Sequence, residues 1–142
     1  MWTDGRWRVG ALLRLDEGRR ILWLRFEGEV DDAEFLGTFQ QLREWVRAHG
    51  EFRVGVTDLG GVTLAGVSSQ AVRQLASSVP QLREGFTRVV VAPDDVSFGM
   101  SRMFEILGSK HPYPIEIVRT VAEAYAFLGV EELELRPVED WP

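Results

Sequence analysis

The residues of this chain whose types could do chemistry are few, and they stand at the ends of regular elements. Asp94 and Asp95 are adjacent acids, which invites a reading as metal ligands or as a general acid. Neighbouring side chains point different ways, however. Pro93-Asp94-Asp95 also opens a helical pattern, where acids complement free backbone N–H groups without any further function. A magnesium site would need acids from other loops, and Asp58 is the obvious partner. Ser68 and Ser69 stand where another helix begins. Either hydroxyl suits an N-cap, and a phosphate on either is electrostatically tolerated there. Asp58-Leu59-Gly60-Gly61 reads as a loop whose glycines supply positive φ. It lacks the Gly-Lys-Ser/Thr ending of a nucleotide phosphate loop.

The chain has two histidines, His49 and His111, and no cysteine. Thiolate chemistry and disulfides are therefore excluded. Neither histidine has a nearby nucleophile, and no metal-ligand spacing links them. The expectation is no catalytic residue, no metal and no cofactor. Phe98 and Arg102 lie four residues apart on the predicted third helix. Two arrangements are open for Phe98. It either stacks on Arg102 in a partner-binding face, or precedes the regular helix and tucks inward.

These residues must be positioned by one domain of ordinary size. The 142 residues are 45% apolar and 27% charged, which argues for a packed core and against disorder. Net charge is −6, which disfavours nucleic acid as a partner. Residues 131–142 carry −4 of it, so the end of the chain reads as an acidic, solubilising tail beyond a core of 7–130. The N-terminus lacks a basic stretch leading into an apolar run, and no segment approaches the roughly 20 apolar residues of a membrane span. A cytoplasmic location follows as the expectation.

The apolar rhythm predicts the order strand, strand, helix, strand, helix, strand, helix, strand, helix. Strands over 7–15 and 20–27 flank Asp16-Glu17-Gly18-Arg19, a hairpin signal with Gly18 available for positive φ. Asp31 or Asp32 caps a helix to about Ala48, with Phe35, Phe39, Leu42 and Val46 inward and Gly50 as its stop. A short strand from Phe52 to Thr57 precedes a helix carrying Val67, Ala71, Leu75 and Val79, with Pro80 near its end. The run Thr87 to Ala92 is apolar enough to lie mid-sheet. The third helix carries a stripe of Val96, Met100, Met103 and Leu107, joined by Phe104. Pro112 and Pro114 precede a last strand from Ile115 to Val118, and Thr120 caps a helix burying Val121, Ala124, Tyr125 and Leu128. The fold class is α/β: a mixed, mostly parallel five-stranded sheet with about four helices. Ligands in open sheets of this kind sit beyond the carboxyl ends of the parallel strands, which points to Asp58–Thr63, Asp94, Asp95, Arg119 and Thr120.

Several segments resemble the STAS superfamily, and more narrowly the bacterial SpoIIAA-like group, also described as STAS/SEC14-type. They are the opening hairpin, the strand ending in Asp58-Leu59, Arg88-Val89-Val90-Val91-Ala92, the segment Gly99-Met100-Ser101-Arg102-Met103-Phe104-Glu105, and Glu123-Ala124-Tyr125-Ala126-Phe127-Leu128. The resemblance covers roughly 7–130 and implies a domain that binds rather than turns over. In family members of the anti-sigma-antagonist type a serine is phosphorylated within Asp-Ser-Ser/Thr-Gly. The matching stretch here is Gly66-Val67-Ser68-Ser69, so the acceptor position falls on Val67, which cannot take phosphate; a one-residue shift would bring in Ser68. The leading expectation is a non-enzymatic interaction module that binds a protein partner or a second copy of itself. The alternative is a carrier of a small apolar ligand in a pocket lined by Phe35, Phe39, Met100, Met103 and Phe104.

Overall fold

The computed structural model describes residues 10–78, 86–108 and 115–141. The expectations placed on Trp7, Val79, Pro80, His111, Pro112 and Pro114 fall outside them. The chain opens with a hairpin of β1 (Ala11–Asp16) and β2 (Ile21–Glu29). Helix α1 (Asp32–His49) leads to β3 (Val54–Thr63), α2 (Ser69–Ser78) to β4 (Thr87–Val91), and α3 (Asp95–Leu107) to β5 (Ile115–Val118). Helix α4 (Val121–Leu128) and a two-residue β6 (Arg136–Pro137) complete the order.

The sheet runs β5-β4-β3-β2-β1-β6, parallel from β2 to β5 and antiparallel on either side of β1. The architecture is the mixed, mostly parallel α/β sheet that the apolar rhythm predicts, with a sixth strand added. That strand corrects the reading of 131–142 as a free tail. Leu133 is buried, Val138 donates its N–H to the Leu13 carbonyl at 3.1 Å, and the Trp141 indole donates to the Ala11 carbonyl at 3.2 Å. Asp140 accepts from Trp45 at 2.9 Å and pairs with His49 at 2.7 Å. The acids mask a segment whose alternate residues cover the edge of β1, which would otherwise expose unpaired N–H and C=O groups.

Strand order follows chain order from β1 to β5. Each right-handed crossover therefore steps in the same direction and lays its helix on the same face. Leu22, Leu24 and Phe26 of β2 pack under α1, α2 and α3, whereas Ile21, Trp23, Val56, Val89 and Val91 pack under α4 and Leu133. A sheet wound this way never reverses, so it forms no topological switch point. The crevice expected beyond the carboxyl ends of the strands has no origin here.

Local chemistry explains the helix boundaries. Asp31 caps α1 in a reciprocal box with Glu34, and Thr120 caps α4 in another with Glu123. The hairpin differs from expectation. The positive φ falls on Arg20 (56°), not on Gly18. Arg20 is held there by donating to the Glu51 and His49 carbonyls at 3.0 and 3.2 Å, and by lying 4.2 Å over the Phe52 ring. Helix α3 is also turned relative to the predicted stripe. Ser97 and Ser101 are buried against the sheet, while Val96 is 55% and Leu107 45% exposed. The serines lose no hydrogen bonding by burial, because Ser97 donates to Asp94 and Ser101 to the Ser97 carbonyl at 2.8 Å. Their small size lets the helix lie close to the strands.

Candidate functional site

The structure distributes the predicted site residues over three separate settings, and it closes most of them. Asp58 does not end a strand, because β3 continues to Thr63 and carries Gly60 and Gly61 within it. Its carboxylate is buried and saturated: it accepts from the Trp23 indole at 3.1 Å, from Arg25 at 3.0 Å and from the Gly60 N–H at 2.9 Å. Arg25 also donates to Glu27 at 3.1 Å, and that hydrogen bond, with the Asp58 pair, raises its already high pKa. Neither glycine has positive φ. They are glycines because the network lies over them: a Cβ on Gly61 would fall 2.7 Å from an Arg25 nitrogen, and one on Gly60 would fall 2.9 Å from Asp58. A register shift reinforces this, since Arg25 to Glu27 on β2 spans Asp58 to Gly61 on β3. The extra residue is a bulge that folds the guanidinium across the strand.

Ser68, not Ser69, is the residue that caps α2. Its hydroxyl accepts from the Ala71 N–H at 3.1 Å and donates to Asp32 at 2.6 Å, and its backbone N–H also reaches Asp32. These two bonds hold the Asp32 carboxyl below the usual range. Phosphate on Ser68 would face that carboxylate, and Val67 at the family's acceptor position is buried. Asp94 caps α3 through the Ser97 N–H at 2.8 Å, and this hydrogen bond, outweighing partial burial, lowers its pKa. Asp95 projects into solvent, its side chain 98% exposed, and pairs with Arg119 at 3.1 Å. Phe98 packs partly into the core under Arg119, which lies 4.0 Å over its ring. Arg102 instead pairs with Glu105 at 3.0 Å. The proposed Phe98–Arg102 stack is therefore replaced by Phe98–Arg119. Among the described residues, no three His, Asp or Glu side chains gather as metal ligands, and no helix is long and apolar enough to cross a membrane.

An open setting lies elsewhere, between the helical layer and the sheet and toward the amino ends of β3 and β4. Helix α2 packs closely on α3 but only lightly on α1. Beside the C-terminal half of α1 the gap is a hollow of about 230 Å³, walled by Leu22, Leu24, Phe39, Leu42, Val46, Leu75 and Phe86. A smaller hollow of about 50 Å³ adjoins it and shares Phe39, Thr57, Leu75 and Arg88; Phe35, Met100 and Phe104 also line it. Met103 lines neither.

Among the described residues, three arginines and no acid line the larger hollow. Arg43 and Arg47 stand one turn apart on α1, the first half-buried and the second exposed. Arg88, the second residue of β4, shares the helix-covered face of its strand with Val90, two residues on. Its cross-strand neighbour is Gly55, which presents no side chain on that face and leaves the place beside the guanidinium open; the Phe86 ring covers the glycine instead. The Arg88 guanidinium forms no hydrogen bond with a described residue and lies 5.9 Å from the centre of the Phe104 ring. No described carboxylate pairs with it. Burial, aided by the like charge of Arg43, pushes its pKa down to about 10, and it stays cationic at neutral pH. The signal in the sequence was an arginine inside a β-branched run that belongs mid-sheet, where a charge needs a counter-charge.

No family model matches the chain, and no curated protein matches its sequence.

Proposed function

We propose that this protein is a non-enzymatic carrier or sensor that holds a small apolar molecule between its helical layer and its sheet. The observation that carries the reading is the pair of adjoining hollows, apolar on most sides and bounded by the strands and three helices. At water's share of about 30 Å³ per molecule, the larger one has room for roughly eight heavy-atom groups. That suits a short chain or a single ring, and it is too small for a two-chain lipid. The resemblance to STAS-type domains, which implies binding without turnover, agrees with this reading, as does a cytoplasmic setting for the molecule. Native mass spectrometry of protein purified from its own cells tests it. A retained small adduct is expected, and Leu75→Trp, which fills the hollow, should remove it. Protein that carries no adduct and takes up no small apolar compound would end this reading.

A second reading is the interaction module. It is favoured by Val96, Ile106 and Leu107 on the outer face of α3, which are 55, 65 and 45% exposed. They would meet a protein partner or a second copy of the chain. Sedimentation at rising concentration tests self-association, with Ile106→Asp expected to abolish any dimer; a monomer at every concentration counts against it.

A further inference from the structure

We infer that the molecule held in the cavity is an anion with a short apolar body, a small monocarboxylate, whose head is bound by Arg88; this rests on the cavity reading above. A guanidinium offers five N–H donors in a planar fork that matches a carboxylate in two parallel hydrogen bonds. Arg88 sits half-buried among Phe39, Leu75, Phe86 and Phe104 with none of those donors met by a described acceptor. A half-buried guanidinium in so apolar a surround gains from a charged partner, and none of the described residues supplies one.

The surroundings narrow what that partner is. A cation is excluded by three positive side chains without an acid among the cavity's lining residues. A neutral molecule would leave the charge unanswered. The walls beside Arg88 are hydrocarbon, so a free inorganic anion would satisfy the guanidinium but waste the apolar surface. A dianionic phosphate would seek more donors than the one guanidinium set among these walls offers. A carboxylate of about eight carbons in all answers both parts of the site at once. Arg88 and Arg43 are half-buried and Arg47 is exposed. The cluster draws an anion toward the hollow, where Arg88, on the sheet, fixes its head.

Titration calorimetry of the full chain with octanoate, 1-octanol and octylamine tests the inference, since the three share a tail and differ in head charge. Octanoate should bind at least tenfold more tightly than octanol, and octylamine should not bind. Arg88→Met, with Arg88→Gln as a second variant, should erase that tenfold preference while octanol still binds. Arg47→Gln should weaken octanoate only slightly. Octanol binding as tightly as octanoate to the unaltered chain would overturn the anion and leave the cavity reading standing, as would preference for octylamine. Inorganic phosphate competing as well as octanoate would overturn the apolar body. Silence from all three tailed ligands would overturn the cavity reading and this inference with it.

Discussion

Arg25 and Arg88 sit on neighbouring parts of the same sheet, on opposite faces, and their surroundings could hardly differ more. Arg25 is answered twice within the chain, by Asp58 and Glu27, and its charge is stabilised. Arg88 is answered by nothing described, and its charge is destabilised. On the α4 face both buried carboxylates are answered within the chain: Asp58 has three donors, and Asp16 accepts from Arg19 and from the Glu134 N–H at 2.9 and 3.0 Å, although Arg14 Nε on that face is buried without a described partner. Such a face serves folding and register. The α1–α2 face leaves a donor-rich group over an unfilled volume. A group that weakens the fold in isolation makes physical sense when a ligand completes it.

The contrast predicts opposite signs for similar substitutions. The largest effect should come from Asp58→Ala, which leaves the Trp23 indole and the Gly60 N–H without their acceptor and Arg25 with Glu27 alone; a loss of about 3 kcal/mol is expected in urea unfolding. Replacement of each arginine by methionine comes next. Arg25→Met should destabilise by about 2 kcal/mol, because Asp58 is left buried and short of a donor, whereas Arg88→Met should stabilise the ligand-free chain by about 1–3 kcal/mol. Equal losses from both would show that Arg88 is satisfied internally, and the comparison would fail.

Two glycines sharpen it further. Gly61→Ala drives a Cβ into the Arg25 guanidinium, which is pinned, so about 1–3 kcal/mol should be lost. Gly55→Ala meets the Phe86 ring at 3.0 Å beside open volume, where the ring can yield, and it should lose under about 1 kcal/mol. The smallest effect concerns acid. Burial alone would raise the Asp16 pKa, but the hydrogen bonds from Arg19 and Glu134 outweigh it and leave it lowered. A carboxyl with a lowered folded pKa contributes its stability above the unfolded value of about 3.9 and loses it as pH falls through the folded one. The stability gap between the unaltered chain and Asp16→Asn should therefore be constant above about pH 4 and narrow below it. A gap that widens in acid would reverse the sign assigned here.

Much of the architecture could be read before any fold was known, because it depends on near neighbours. Asp31 and Glu34, or Thr120 and Glu123, cap helices through groups three residues apart. The run from Thr87 to Val91 announces a central strand by its own composition. The site was less legible. Asp58, Gly60 and Gly61 look alike whether they form a ligand loop or a strand wrapped by Arg25, and the difference lies with a residue more than thirty positions away. The same holds for Asp32, whose oxygen is taken by Ser68, and for Asp16, which is tied to Glu134.

By itself, then, the sequence determined the alternation of strands and helices and the positions of most helix starts, since periodicity and capping act over one or two turns. Only the tertiary structure decided which face of α3 turns inward, that the acidic end is stitched to β1, and that Arg88 faces a hollow beside Gly55 without a counter-charge. Burial and ion pairing are properties of what arrives from elsewhere in the chain. A single arginine in a strand reads the same whether its partner is present, as for Arg25, or missing, as for Arg88.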